Sequence, residues 1–449
     1  MYPMNRVSQI AAVVALACAV ALVPRPGLAQ TCEGDCNSDG VVMVDEVVSG
    51  VGIALGRNDL ASCASLDLDG DGSVLVYELI AAVVRVMEGC PYPRDDELRL
   101  NQIQVLGSHN SYHIRPAQPI LDALRALTPQ LSEPLEYDHP ALGEQFENQR
   151  IRQIELDVFA DPFGGLYTTP YGLELTTGDP NARIPELGAA GFKVLHIQDI
   201  DFDTVCQTFI ECLEDVKAWS DAHPLHMPIM ILVEAKDDVL PDFGFNFVTP
   251  LPIGEPEFDA LDVEIRSVFP PAQLITPDDV RGMHATLAEA VRTDGWPTLG
   301  ASRGKVLFCL DNGGAKLADY IRNHPSLQGR VLFTSSPADA PEAAFMKLND
   351  PIGDFDEIQA AVAEGFVVRT RADADTVEAR TNNTTPRDMA LESGAQWVST
   401  DYPVPDPVFG TGYMVEIPTG MPARCNPISA PAECASLDIE NPAHLRRGE

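Results

Sequence analysis

Asn101-Gln102-Ile103-Gln104-Val105-Leu106-Gly107-Ser108-His109-Asn110-Ser111-Tyr112-His113 is the stretch whose reading decides the fold. Ile103, Val105 and Leu106 form a short β-rich run, Gly107 ends it, and His109 beside Asn110 falls where the strand gives way to a loop. In an α/β barrel, the loops that follow the strands carry the chemistry. Other runs end in the same way. Residues 153–158 interleave apolar side chains with Glu155 and Asp157, residues 192–195 lead into His196, and residues 229–233 lead into Glu234 and Lys236. Histidines, an amide and carboxylates are thereby directed to one rim.

Strand-like runs at 103–106, 154–158, 192–195, 229–233, 306–310, 331–333, 366–368 and 396–398 alternate with helical stretches from about Leu98 onward. Such alternation implies a parallel sheet with helices outside it, and eight strands close a (β/α)8 TIM-like barrel. The expected class is α/β, with the barrel over 98–410 and a tail over 411–449. Polar groups follow the later runs too, among them Asp311, Thr334, Arg369, Arg371, Thr400 and Asp401. The Pro-rich stretches 161–187 and 240–257 read as loops over the rim.

With 449 residues and 45% hydrophobic content, the chain can bury a large core and more than one domain. A formal charge of -37 argues against a nucleic-acid partner, because polyanion binding needs clustered Lys and Arg. It also limits membrane contact to a transient surface encounter. Residues 1–29 read as a secretory signal: Arg6 supplies a positive start, 10–23 an apolar core, and Gly27-Leu28-Ala29 a small-residue cleavage site. Ten cysteines agree with an oxidising, extracellular or periplasmic location. Cys32, Cys36, Cys63 and Cys90 leave their connectivity open, Cys206/Cys212 and Cys425/Cys434 are close pairs, and Cys309 reads as a buried free thiol.

Residues 30–91 contain an internal repeat. Asp35, Asn37, Asp39 and Glu46, then Asp67, Asp69, Asp71 and Glu78, stand at positions 1, 3, 5 and 12 of two EF-hand loops, with Gly40 and Gly72 at position 6. Position 9 is Met43 or Leu75, so one ligand is missing from each loop and modest affinity is expected. The apolar runs 47–55 and 79–87 read as helices packing together into a small all-α module. The pair resembles a dockerin, and that resemblance implies a possible protein partner; a structural spacer would carry the same loops.

The series His109-Asn110, Glu155-Leu156-Asp157, His196 and Glu234 resembles the catalytic half of calcium-dependent phosphoinositide-specific phospholipases C, which are distorted α/β barrels. The resemblance spans roughly residues 101–402. It implies that Asn110, Glu155, Asp157 and Glu234 bind one Ca2+, that His109 stabilises the charged phosphorane, and that His196 is the general acid toward the leaving alcohol. Lys236, Arg369 and Arg371 are the candidate substrate-binding cations. The chemistry is coherent on its own terms: a cation lowers the pKa of a neighbouring hydroxyl and offsets charge on phosphate, while an imidazole protonates the leaving alkoxide. Carboxylates and an amide oxygen suit calcium better than zinc.

The expected activity is therefore a secreted calcium-dependent phosphoric diester hydrolase acting on phosphatidylinositol or a related inositol phosphodiester. Cys309 and Asp311 stand at what resemble the positions where polyphosphoinositide-cleaving relatives carry lysines, and Asp311 is expected to repel extra ring phosphates. The run Gly394 to Pro403 also resembles the closing strand of glycerophosphodiester phosphodiesterases, which leaves an enzyme on soluble diesters as an alternative. A non-catalytic calcium-binding scaffold is the third. His113, His223, His226, His284 and His324 read as surface or loop residues, His113 being the first candidate for an exception.

Overall fold

The structure, a computed structural model, describes residues 32–37, 40–90, 92, 94–241 and 244–441. The signal reading over 1–29 and the ligand call on Asp39 lie outside the described residues. The chain divides into two compact units, Met1–Pro93 and Arg94–Glu449.

In the first unit, helices Val44–Ala54 and Val76–Glu88 pack around Cys63, Leu66, Val74 and Ala82. So small a core is supplemented by cross-links. Disulfides Cys32–Cys90 and Cys36–Cys63 settle the connectivity that the spacing left open.

The second unit is a nearly closed barrel. Its parallel strands are β1 (Ile103–Ser108), β2 (Gln153–Phe159), β4 (Ile229–Ala235), β5 (Val306–Leu310), β6 (Leu332–Thr334), β7 (Phe345–Lys347), β8 (Val367–Arg371) and β9 (Trp397–Thr400). They run apolar and almost wholly buried, as strands covered on both faces must be. Around the barrel the order is β6-β5-β4-β2-β1-β9-β8-β7, so successive strands are neighbours. Closure between β6 and β7 rests on the parallel bridge Ser335–Phe345 and on Lys347 N–H donating to Ser335 Oγ at 2.9 Å.

Two strand expectations need correction. Residues 192–195 supply only β3 (Lys193–Val194), which pairs antiparallel with the end of β2 and stands off the barrel path. The missing stave is β7, whose short Phe-Met-Lys run in a loop-like context gives no periodicity to read.

The seam between β1 and β2 is thin, with Gly107 opposite Gln153 its single register pair. The approach is close: a Cβ on Gly107 would fall 1.8 Å from Gln153 Oε1 and 2.9 Å from Gln153 Cβ, so a larger residue would force Gln153 to shift. Below that contact β10 (Ala423–Cys425) runs antiparallel to residues 103–105 and occupies the β1 edge that β2 leaves. Residues 423–425 of the segment beyond residue 410 are thus part of the sheet. Buried Glu440 continues the attachment, accepting from Arg152 Nε at 2.9 Å and from Met227 N–H at 2.7 Å. Disulfides Cys206–Cys212 and Cys425–Cys434 form in this unit, and Cys309 is a buried free thiol in β5.

Candidate active site

Strand geometry assembles the carboxylates. Glu155 and Asp157, two apart on β2, share a face, and the parallel register sets Glu234 of β4 beside Asp157. One oxygen from each of Glu155, Asp157 and Glu234 lies within 4.8 Å of the others. Asn110 follows β1 in a left-handed conformation (φ 43°). The turn around it is pinned to β2, with Ser111 N–H donating to Glu155 O at 3.0 Å and Glu155 N–H to Ser111 Oγ at 2.8 Å. Asn110 Nδ2 donates to Tyr137 Oη at 3.0 Å, so the amide oxygen is the end available to a cation.

These groups fit a hard divalent cation. Burial pushes the Glu155 carboxyl up, with Asp311 and Asp157 adding to the effect and Arg369 opposing it. Burial also pushes Asp157 up, Lys236 opposing and Glu234 reinforcing. Neither oxygen of Asp157 has a hydrogen bond of sound geometry, although Lys236 Nζ stands 3.1 Å from Oδ2 and 3.5 Å from Glu234 Oε2. Desolvated, poorly satisfied carboxylates are what a bound calcium ion stabilises. Asn110, Glu155, Asp157 and Glu234 would hold it.

Two histidines accompany this cluster, each fixed by a carboxylate. His109 Nδ1 lies 2.8 Å from Asp401 Oδ1, while its Nε2 lies 3.9 Å from Glu155 Oε1 and 3.4 Å from Arg371 Nη1. Burial, helped by Arg371 and opposed by Asp401, pulls its pKa to about 3, so the ring is neutral. With Nδ1–H donated to Asp401, Nε2 is the lone-pair nitrogen. His196 Nδ1 lies 2.7 Å from Asp201 Oδ2, and burial lowers its pKa against the pull of Asp201, with Lys236 of the cluster lowering it further. The same Asp201 oxygen faces His113 Nε2 at 2.9 Å. His113 is therefore buried in the site, whereas His223 and His226, read as surface or loop residues, lie in the loop before β4 and are buried in structural contacts: His223 Nδ1 donates to Trp219 O at 2.7 Å and His226 Nε2 meets Ser220 Oγ at 2.7 Å.

The cations divide. Lys236 belongs to the carboxylate cluster. Arg369, with 1% of its side chain exposed, donates to Glu155 Oε2 at 2.5 Å, Asn349 Oδ1 at 2.6 Å and Ser399 Oγ at 2.8 Å, which holds a carboxylate in place. Arg371 reaches Asp401 Oδ2 at 3.3 Å and keeps a buried Nε without a hydrogen-bond acceptor. Asp311 is not the free negative charge the sequence suggested: Lys347 Nζ donates to its Oδ2 at 2.6 Å. No sequence motif marks Asp201, Lys347 or Tyr137, and Asp401 follows its strand with a role that only its contact with His109 reveals.

In the first unit, the described EF-hand residues form two similar turns. Glu46 accepts from Cys36 N–H at 2.9 Å and Met43 N–H at 2.8 Å, and Glu78 accepts likewise from Leu68 N–H at 2.8 Å and Leu75 N–H at 2.7 Å. Asp35 accepts from Gly40 N–H at 2.8 Å, as Asp67 does from Gly72 N–H at 2.9 Å. Oxygens of Asp67, Asp69 and Asp71 lie within 4.8 Å of one another.

The family model of Ca2+-dependent phosphoinositide phospholipase C matches residues 98–427. Among solved structures, a calcium-dependent phosphoinositol-specific phospholipase C from a Gram-negative Pseudomonas sp. is 18% identical over 75% of this chain and 98% of that one, with a TM-score of 0.44. A calcium-dependent phosphatidylinositol-specific phospholipase C from Streptomyces antibioticus is 20% identical over 70% and 97%, with a TM-score of 0.42. A glycerophosphoryl diester phosphodiesterase from Parabacteroides distasonis is 12% identical over 68% and 84%, with a TM-score of 0.27. No curated protein matches the chain.

Proposed function

This chain belongs to the Ca2+-dependent phosphoinositide phospholipase C family, phosphoric diester hydrolases that work with calcium, and from that premise we propose that it cleaves phosphatidylinositol or a related inositol phosphodiester by paired histidine catalysis. The observation that carries the reading is the Glu155–Asp157–Glu234 cluster together with the two carboxylate-bound histidines, His109 and His196, that follow barrel-rim strands.

A calcium ion on Asn110, Glu155, Asp157 and Glu234 would make the hydroxyl beside the phosphate more acidic and offset charge on the phosphoryl oxygens. His109 Nε2 takes that hydroxyl's proton as its oxygen bonds to phosphorus; the resulting Nε2–H then donates to the charged phosphorane, the role expected from sequence. Arg371 grips a phosphoryl oxygen beside it. As the bond from phosphorus to the departing alcohol breaks, His196 Nε2 gives its proton to the alkoxide. A cyclic inositol phosphate results, which water opens by the reverse proton transfers. Lys236, next to Asp157 and Glu234, limits their mutual repulsion and is positioned to meet substrate; Arg369 acts through Glu155.

The EF-hand loops are proposed to bind calcium independently of the barrel and to stabilise the first unit, with a dockerin-type protein partner as a further possibility of that module. Export is supported by the signal-like residues 1–29 and by four disulfides. No helix among the described residues is long and apolar enough to cross a membrane.

The test is to incubate the purified protein with phosphatidylinositol and, separately, with glycerophosphodiesters. Cleavage of phosphatidylinositol in calcium with cyclic inositol phosphate among the products is expected. Turnover of glycerophosphodiesters alone would assign the chain to the alternative activity.

A further inference from the structure

We propose that Asp201 is the positioning residue for His196 and that buried His113, sharing the same carboxylate as a permanent imidazolium, keeps His196 a ready proton donor. The inference rests on the reading of His196 as the acid.

The geometry comes from one tight turn. Asp201 N–H donates to Ile197 O at 2.9 Å, and Asp201 O accepts from His196 N–H at 3.2 Å and Ile197 N–H at 2.9 Å. Ring and carboxylate therefore sit across a short hairpin, and Nδ1–H of His196 is held inward at 2.7 Å while the ring keeps 21% of its surface exposed. That leaves Nε2 as the nitrogen free to serve a substrate.

His113 faces acceptors at both ring nitrogens. Nε2 lies 2.9 and 3.1 Å from the two Asp201 oxygens, and Nδ1 lies 3.1 Å from the Tyr137 backbone carbonyl, which carries no hydrogen. Both nitrogens must then be donors, and an imidazole with two N–H groups is a cation. Its ring stacks on the Tyr137 ring at 4.1 Å with 21° between planes, an arrangement that favours positive charge. Neither His113 nor Asp201 has exposed side-chain surface.

A lone carboxylate beside a histidine orients the ring but also makes it more basic, and a strongly basic imidazolium gives up its proton reluctantly. Here the carboxylate already has a cation. Lys236 pushes in the same direction on His196, Asp203 interacts with Asp201, Asp401 favours the charged form of His113, and His113 in turn disfavours charge on His139. Orientation and acidity are thereby separated: Asp201 fixes the tautomer while His113 cancels its charge.

The experiment compares H196A, D201N and H113Q with the unmodified full chain on two substrates at fixed calcium. Phosphatidylinositol loses an alkoxide that needs a proton; p-nitrophenyl inositol phosphate loses a phenolate that does not. If His196 is the acid, H196A falls by about 10²- to 10⁴-fold on the first and far less on the second. H196A with full activity on phosphatidylinositol would remove the premise, and the inference with it. With the premise standing, D201N shows the same split, and its alkaline limb of kcat moves to lower pH. H113Q leaves the carboxylate unshared and moves that limb to higher pH by about one unit. Equal slowing of both substrates by D201N, or an unmoved limb in H113Q, would make the network merely structural. Nitrogen NMR of the unmodified protein at neutral pH supplies a reading free of folding effects: two ring N–H groups on His113 are expected, and one would overturn the proposal.

Discussion

Asp401 Oδ1 and His109 Nδ1 stand 2.8 Å apart, joining the end of the last barrel strand to the end of the first. The link follows from register: Ser108 of β1 pairs with Thr400 of β9, so the next residue of each strand arrives at the same height. Burial works against ionisation of Asp401, yet His109 and Arg371 hold its carboxyl well below the usual range. Asp401→Asn keeps the shape and removes the charge that fixes the His109 tautomer. Turnover is expected to fall by about 10²- to 10⁴-fold with an unchanged calcium requirement. Initial rates across a calcium series check it, and a shifted calcium midpoint would place Asp401 in the metal site instead.

Asp157→Asn and Glu234→Gln each delete one anionic oxygen donor from the cluster while conserving volume. The calcium concentration for half-maximal rate should rise by about tenfold or more in each, with much of the maximal rate recovered at high calcium. Rate curves are the right observable, since the EF-hand loops would contribute to any direct binding isotherm.

Selectivity among phosphoinositides is expected to turn on the Lys347–Asp311 ion pair rather than on Asp311 alone. Each further ring phosphate adds close to two negative charges. With Lys347 committed to Asp311, phosphatidylinositol should be cleaved in preference to its bisphosphate. Asp311→Asn releases the ammonium and is expected to narrow that preference several-fold. Specific activities in mixed micelles, side by side, decide it; an unchanged ratio would show that the pair stands outside the headgroup subsite.

Glu264, on helix Glu255–Val268, accepts from Phe192 N–H at 3.1 Å but buries its second oxygen without a partner. Burial lifts its pKa to about 7, with Phe192 N–H and Lys193 opposing. An unfolded glutamate titrates near about 4.3. The folded state thus binds the proton more tightly, and the stability this gives is complete below about pH 4 and lost as pH rises through about 7. Glu264→Gln should match the unmodified protein near pH 4 and exceed it by about 1–2 kcal/mol at pH 8. Denaturant titrations at the two pH values read this out, and a gap that closes as pH rises would refute the assignment.

The sequence made most of the barrel readable because six parallel strands are long or apolar enough to stand out, and a seventh, β6, gives a short one. It failed where the signal is local and ambiguous: residues 192–195 are apolar yet turn back on β2, and β7 is three residues long. The candidate ligands were legible through strand alternation and rim position. Asp201 was not, because its significance comes from a turn that folds it back onto His196, and Lys347 was not, because its partner lies on another strand. His113 carries no motif beyond its nearness to His109; only the Tyr137 carbonyl and Asp201 reveal what its nitrogens face.

The most direct measurement is phosphorus NMR of phosphatidylinositol micelles during turnover, in calcium and after chelation, with the unmodified protein and with Asp157→Asn. The proposal predicts that a cyclic inositol phosphate resonance grows first in calcium, disappears from the reaction on chelation, and returns in Asp157→Asn only at raised calcium. Undiminished turnover in chelator, or an inositol monophosphate formed from the outset with no cyclic product, would contradict it.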